Sequence, residues 1–275
     1  MSGALRAELL KLAKRPAVWV LFAVLFATMA LFSYLFPYIL LGLDIEGSAP
    51  TPGQVAVYRA SLLPRGFVAS SVSGVAGVGG TLALILGVLT MGSEYRWGTL
   101  KTITTQRSSR LTLGASKLAG VGIVALLFTI AYFLTALVCS LGIAGLEGES
   151  FGLPAVGTIA AGLGTGWLIL LTWSALGILL AVAFRGTGLA IGLGLVYQLL
   201  LEQLAVALPM PERMAEVLRA GLPGANATAL AQHFADVQGL VLRTVPVGQA
   251  AAVLAAYFAL FVALAGVIFR RRDIT

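Results

Sequence analysis

Charge is what this sequence has least of. Only 11% of its 275 residues are Asp, Glu, Lys or Arg, against about 25% in an ordinary soluble domain, too few to clothe a water-facing globule. Acidic residues are the scarcer sign, 11 against 18 Lys and Arg, which leaves a net charge of +7. There is one cysteine, Cys139, and one histidine, His233. That excludes an internal disulfide and a multi-cysteine metal site, and it leaves His233 without a second His or Cys to complete a zinc site. The pattern Gly-x-x-x-x-Gly-Lys-Ser/Thr does not occur, so no loop of that kind cradles nucleotide phosphates. Gly162, Gly164 and Gly166 lie in an apolar run and break the spacing of a dinucleotide-binding turn, so helix packing accounts for them better. Intramembrane proteolysis would require a Ser–His pair or paired acidic groups at membrane depth. Ser70, Ser71 and Ser73 have no histidine in any apolar run, and Glu202 is the lone acidic residue inside one.

What the chain does have is apolar length. Hydrophobic residues make up 59% and the mean hydropathy is +0.98, which places it in the all-α integral membrane class as a single domain over 1–275. About 20 apolar residues cross a bilayer, and six runs reach that length: 17–43, 67–91, 118–141, 156–183, 188–208 and 249–269. The first is far longer than the core of a signal peptide and is read as retained. Ahead of it, residues 4–15 wind as an amphipathic interfacial helix. Leu5, Leu9, Leu12 and Ala13 share one face, and Glu8, Lys11, Lys14 and Arg15 share the other, suited to anionic lipid headgroups. Pro16 breaks that helix. The second run is dense in small residues, Gly74, Gly77, Gly79 and Gly80, and the fifth opens with Gly188 and Gly192; such residues let helices approach closely. Residues 209–247 form the longest polar segment, with two short amphipathic helices separated by Pro223-Gly224. Placing both termini, the loop after the second run and the Arg185 turn on the cytoplasmic side puts 13 of the 18 basic residues inside. The positive balance is thereby explained by cytoplasmic loops, and no nucleic-acid partner is expected.

One stretch breaks the apolar pattern. Between the second and third runs, residues 93–117 carry Glu94, Arg96, Lys101, Arg107, Arg110 and Lys117. The absence of proline from Glu94 to Thr105 allows a short helix along the membrane surface. The pattern Glu94-x-x-x-Gly98-Thr99-Leu100-Lys101-Thr102-Ile103, followed by Ser109-Arg110 and Lys117, resembles the cytoplasmic coupling segment of ABC-2 type transporter permeases. The likeness departs at Arg107-Ser108, where relatives usually carry a proline.

The resemblance implies a plasma-membrane permease of six spans, with paired short re-entrant helices before the last span, as one of two permease copies or two similar permeases. It also implies a separate ABC ATP-binding subunit that binds ATP and Mg, so that this chain is a transport subunit and not an enzyme. Glu94, Tyr95, Arg96, Trp97, Gly98, Thr99 and Lys101 would then couple to the ATPase. Gln198 and Glu202, set deep in the fifth run, are candidates for the path of a lipophilic drug, an antimicrobial peptide or a lipid-linked substrate. The competing expectation is a secondary transporter, or a regulatory membrane protein with no ATPase partner.

Overall fold

The computed structural model describes residues 2–42, 52–96, 110–202, 204, 211–235 and 245–271. Among these residues the structure is helical, with no strand. In chain order the helices are α1 (Ser2–Lys14), α2 (Pro16–Thr28), α3 (Phe36–Leu41), α4 (Pro52–Leu62), α5 (Phe67–Gly74) and α6 (Gly80–Arg96). There follow α7 (Arg110–Glu147), α8 (Val156–Phe184), α9 (Gly188–Leu195), α10 (Glu212–Gly221), α11 (Pro223–Phe234) and α12 (Val247–Arg271). Five continuous helical stretches are long and apolar enough to cross a bilayer: Pro16–Leu41, Pro64–Tyr95, Thr112–Glu147, Val156–Phe184 and Val247–Arg271. The fifth expected span begins as the shorter apolar stretch Gly188–Leu201, and most of its continuation to residue 208 lies outside the described residues.

Three of these stretches are interrupted by π-helix. The segment Met29–Leu35 joins α2 to α3 just ahead of Pro37. Proline donates no hydrogen bond and crowds the carbonyl four residues back, and the wider π turn takes up that defect without breaking the helix. A second π segment, Val75–Gly79, joins α5 to α6 across the glycine-dense part of the chain. The third, Val196–Leu201, follows α9.

The core pairing is α6 against α8. It is made by glycines opposite backbone: a Cβ on Gly87 would collide with the Ser174 carbonyl oxygen, and one on Gly177 would collide with that of Leu84. Ser174 Oγ donates across the same seam to the Ala83 carbonyl at 3.1 Å. Helix α12 lies on the other side of α8, where Thr172 Oγ1 donates to the Leu254 carbonyl at 3.3 Å. The expected packing glycines divide. Gly74 sits under Tyr132, Gly80 under Trp173, and Gly162 and Gly166 against Phe133 and Thr129, whereas Gly77, Gly164, Gly188 and Gly192 face open space. In the fifth stretch it is Gly194 that meets Leu84 and Leu180.

Helix α7 is the largest departure from expectation. Its 38 residues extend about 57 Å at 1.5 Å per residue, nearly twice the hydrocarbon thickness. The helix therefore begins well ahead of the third apolar run: residues 110–117 are already helical, and Lys117 is a helix residue, not a loop residue. At its other end Gly148 adopts φ +67 and the Glu149 N–H bonds back to the Ala144 carbonyl at 2.9 Å, terminating the helix. There Glu147 pairs with Arg59 of α4 at 2.5 Å.

Candidate functional site

The described part of the coupling stretch lies at the end of the bundle where α1 packs. Helix α6 runs on through Glu94 and Tyr95 to Arg96, past the expected end of the second span at residue 91. Trp97, Gly98, Thr99 and Lys101 lie outside the described residues, as do the Arg96 side chain and most of the expected surface helix.

Glu94 is turned inward and is 4% exposed. Its Oε1 accepts from Lys117 Nζ at 2.6 Å and from Lys11 Nζ at 3.1 Å. Lys117, 3% exposed, also donates to both oxygens of Glu8 at 3.3 Å, and Lys11 donates to Glu8 Oε1 at 2.8 Å. Two carboxylates and two ammonium groups thus form a neutral box joining α1, α6 and α7. Charge-assisted bonds of this kind are short and strong, and taking such charges out of water is tolerated only when each has a partner of opposite sign. The hydrogen bond from Lys11 to Glu8 and the negative charge of Glu94 outweigh the opposing effect of burial, holding the Lys11 ammonium above its ordinary 10.5.

The expected orientation of α1 is corrected here. Glu8 does not belong to a lipid-facing polar side; with Leu12 it forms the buried face of the helix, over Gly120 of α7. On a helical wheel Glu8 stands about 40° from Leu12, at the border of the apolar stripe, and its position as the lone acidic residue among the basic ones of this segment was the available signal. Arg15, just beyond α1, completes the attachment by donating to the Leu89 carbonyl at 2.7 Å and to Ser93 Oγ at 2.8 Å. Both acceptors lie in the last turns of α6, where the helix dipole favours a cation.

Gln198 and Glu202 form a second polar group, inside the bundle. Gln198 is 6% and Glu202 4% exposed. Gln198 lies in the π segment Val196–Leu201 and faces Gly80, the first residue after the π segment Val75–Gly79. Its Nε2 and the Nε1 of Trp173 each approach to 2.8 Å of where a Gly80 Cβ would stand. The missing methyl is what lets an indole and an amide share this space. Trp173 also tilts against Tyr197, with ring centroids 6.3 Å apart. Glu202 takes one interaction from the Tyr197 hydroxyl and one from the backbone of Gly224, in the first turn of α11, where helix-terminal N–H groups favour an anion. Buried polar atoms remain without hydrogen bonds here: Trp173 Nε1, Gln198 Oε1 and Glu202 Oε1. One donor and two acceptors at about mid-length of the apolar helices suit a polar guest better than a sealed core, since each such atom costs roughly 1–3 kcal/mol when left unmatched. Gly80 and Trp173 were not anticipated as members of this group.

Among the described residues no cluster of three or more His, Cys, Asp or Glu could hold a metal. His233 is exposed and packs edge-on to Phe234, with ring centroids 5.4 Å apart. The two polar groups differ in form. The first has the form of a mechanical joint, the second that of a hydrogen-bonding site in an apolar wall.

No curated protein matches the chain. Residues 68–275 match the family described as protein of unknown function (DUF2705), a span that takes in α6, both polar groups except their α1 members, and every helix after them, and the chain belongs to that family.

Proposed function

We propose that this chain is the membrane-spanning permease subunit of an ATP-driven exporter of the ABC-2 type, working in the plasma membrane with both termini cytoplasmic. In this reading α9, the π segment after it and the residues up to 208 are the fifth of six spans, and α10 and α11 are a re-entrant pair before the last. ATP and Mg are bound by a separate ATP-binding subunit, which docks on Tyr95, Arg96, Trp97, Gly98, Thr99 and Lys101. A second permease copy, or a similar permease, completes the path.

The observation that carries the reading is the four-charge box. A docking segment transmits force only if both of its ends are fixed to elements that move together. Glu94 and Lys117 flank residues 97–109, and the box binds both to α1. A push on the segment is therefore delivered to the second and third spans and the amphipathic helix as one body, the kind of rigid-body input that shifts a two-state helix packing. The role of Glu94 is accordingly that of the hinge pin behind the docking surface. Gln198 and Glu202 face the path and offer a cationic or hydrogen-bonding substrate its polar contacts at depth, where ionisable groups mark transport routes.

The motion is open to measurement. Cysteines at Ala13, on the braced body, and at Gln249, in the first turn of α12 outside it, in a Cys139→Ser background, carry spin labels at the two ends of the bundle in the complex with its ATPase. ATP should redistribute the distances between them; one unchanged distribution with and without nucleotide would overturn the proposed transmission.

A further inference from the structure

Beside the charge box, at the same end of the bundle, an apolar groove of about 460 Å³ runs between the first turns of α7 and the last turns of α12, floored by α6 and α8. Its size is that of a ligand site. Two opposing glycines, Gly114 on α7 and Gly266 on α12, line it, and an added Cβ on either would meet nothing within 4 Å. From Val262 to Phe269 the groove follows α12 for about 10 Å, parallel to the helix axis. The opening is basic. Arg270 lines it and Arg271 follows, both exposed, while the buried Lys117 forms the wall shared with the charge box.

We propose that this groove is a binding site for one acyl chain of an anionic phospholipid from the adjoining leaflet, with the headgroup phosphate at Arg270 and Arg271. Three observations select this occupant. The groove lies along the terminal turns of helices long enough to span a bilayer, the depth at which acyl chains and headgroups meet such helices. The lining is apolar except for Thr90, Lys117 and Arg270; the Thr90 hydroxyl bonds to the Leu86 carbonyl at 2.8 Å and Lys117 to the two carboxylates, so the body of the groove suits an apolar chain. The rim charge also argues against a second copy seated symmetrically on the groove, because Arg270 and Arg271 would face their own equivalents, and like charges in register oppose association. Basic pockets between membrane helices are suited to anionic headgroups.

The test is native mass spectrometry of the purified full chain after exchange into vesicles of phosphatidylglycerol and phosphatidylcholine in equal amounts. The wild type should retain phosphatidylglycerol at least fivefold over phosphatidylcholine. Gly266→Phe fills the groove and should cut retained lipid at least fivefold, as should Ala263→Phe on the same wall, which serves if the first variant does not fold. Gly145→Phe, at the far end of α7 where a Cβ also meets nothing within 4 Å, should behave as wild type. Arg270→Gln with Arg271→Gln should keep lipid and lose the preference for phosphatidylglycerol. Wild-type retention in both groove-filling variants, or no headgroup preference in the wild type, would overturn the proposal. So would a wild-type dimer that Gly266→Phe dissociates with its lipid content unchanged, which would assign the groove to a second copy.

Discussion

Lys117 is the residue on which the charge box depends. It is 3% exposed and touches both Glu8 and Glu94, which among the described residues makes it the buried cation of the box. Lys117→Met keeps the length of the side chain and leaves two buried carboxylates with only the half-exposed Lys11. Removing one partner of a buried pair costs on the order of 3–5 kcal/mol, so thermal unfolding of the purified variant should show a loss of that size. Adding Glu94→Gln should recover part of it; a double variant whose loss equals the sum of the two single losses would show that the residues act separately. Lys11 makes the same joint sensitive to alkali. Because pairing holds its folded-state value above 10.5, its contribution is complete below that pH and disappears as pH rises through the raised value. Limited proteolysis at the α1 end of the detergent-solubilised chain should therefore be flat from pH 7 to about 10 and accelerate above it, and Lys11→Met should remove the step. The apolar face of α1 was legible from its leucines, but the side on which Glu8 falls was not, since an acidic residue at the border of a stripe is buried only when a neighbouring helix brings it a cation.

Among the elements, the long apolar helices and the break at Pro223-Gly224 follow directly from composition and turn chemistry, and the structure has them: α10 ends at Gly221 and α11 starts at Pro223. The extension of α7 back to Arg110 was hidden, because its first two turns carry Arg110 and Lys117 and read as loop until α1 packs against them. The π segments were hidden for a related reason. No sequence pattern records a one-residue widening, which follows from Pro37 in the first stretch and accompanies the packing of Gly80 and Gln198 around Trp173 in the other two. The glycine patterns predicted close packing without showing which glycines serve it. The glycines of the α6–α8 crossing, Gly87 against Ser174 and Gly177 against Leu84, were not among those anticipated. Gly177→Val must push α6 and α8 apart and should lower the melting temperature markedly, whereas Gly164→Ala, facing open space, should leave it unchanged or slightly raised, since alanine favours helix over glycine. Equal behaviour of the two variants would remove the α6–α8 seam as the organising contact.

For the whole molecule, orientation is the first question the account answers by charge. Cysteines placed at Ser108 and Thr275 in a Cys139→Ser chain should be shielded from an impermeant thiol reagent in intact cells, while one at Ser150, beyond the end of α7, should react; labelling at Ser108 without permeabilisation would reverse the bundle. The architecture of apolar helices was legible throughout the sequence, and so was the charged segment that interrupts them. The internal polar group was legible only as Gln198 and Glu202, because Gly80 and Trp173 join it through packing between distant parts of the chain. The central claim is that the chain holds an ATPase through the segment that the charge box braces. It is tested most directly by affinity capture of the full chain from its native membranes, followed by assay for a bound P-loop ATPase, alongside the double variant Trp97→Ala, Lys101→Ala, which leaves all four residues of the box in place. The account predicts that wild type brings down such an ATPase and that the variant loses most of it while keeping its own yield and melting temperature. Capture with no ATPase in the wild type, or undiminished capture by the variant, would contradict it.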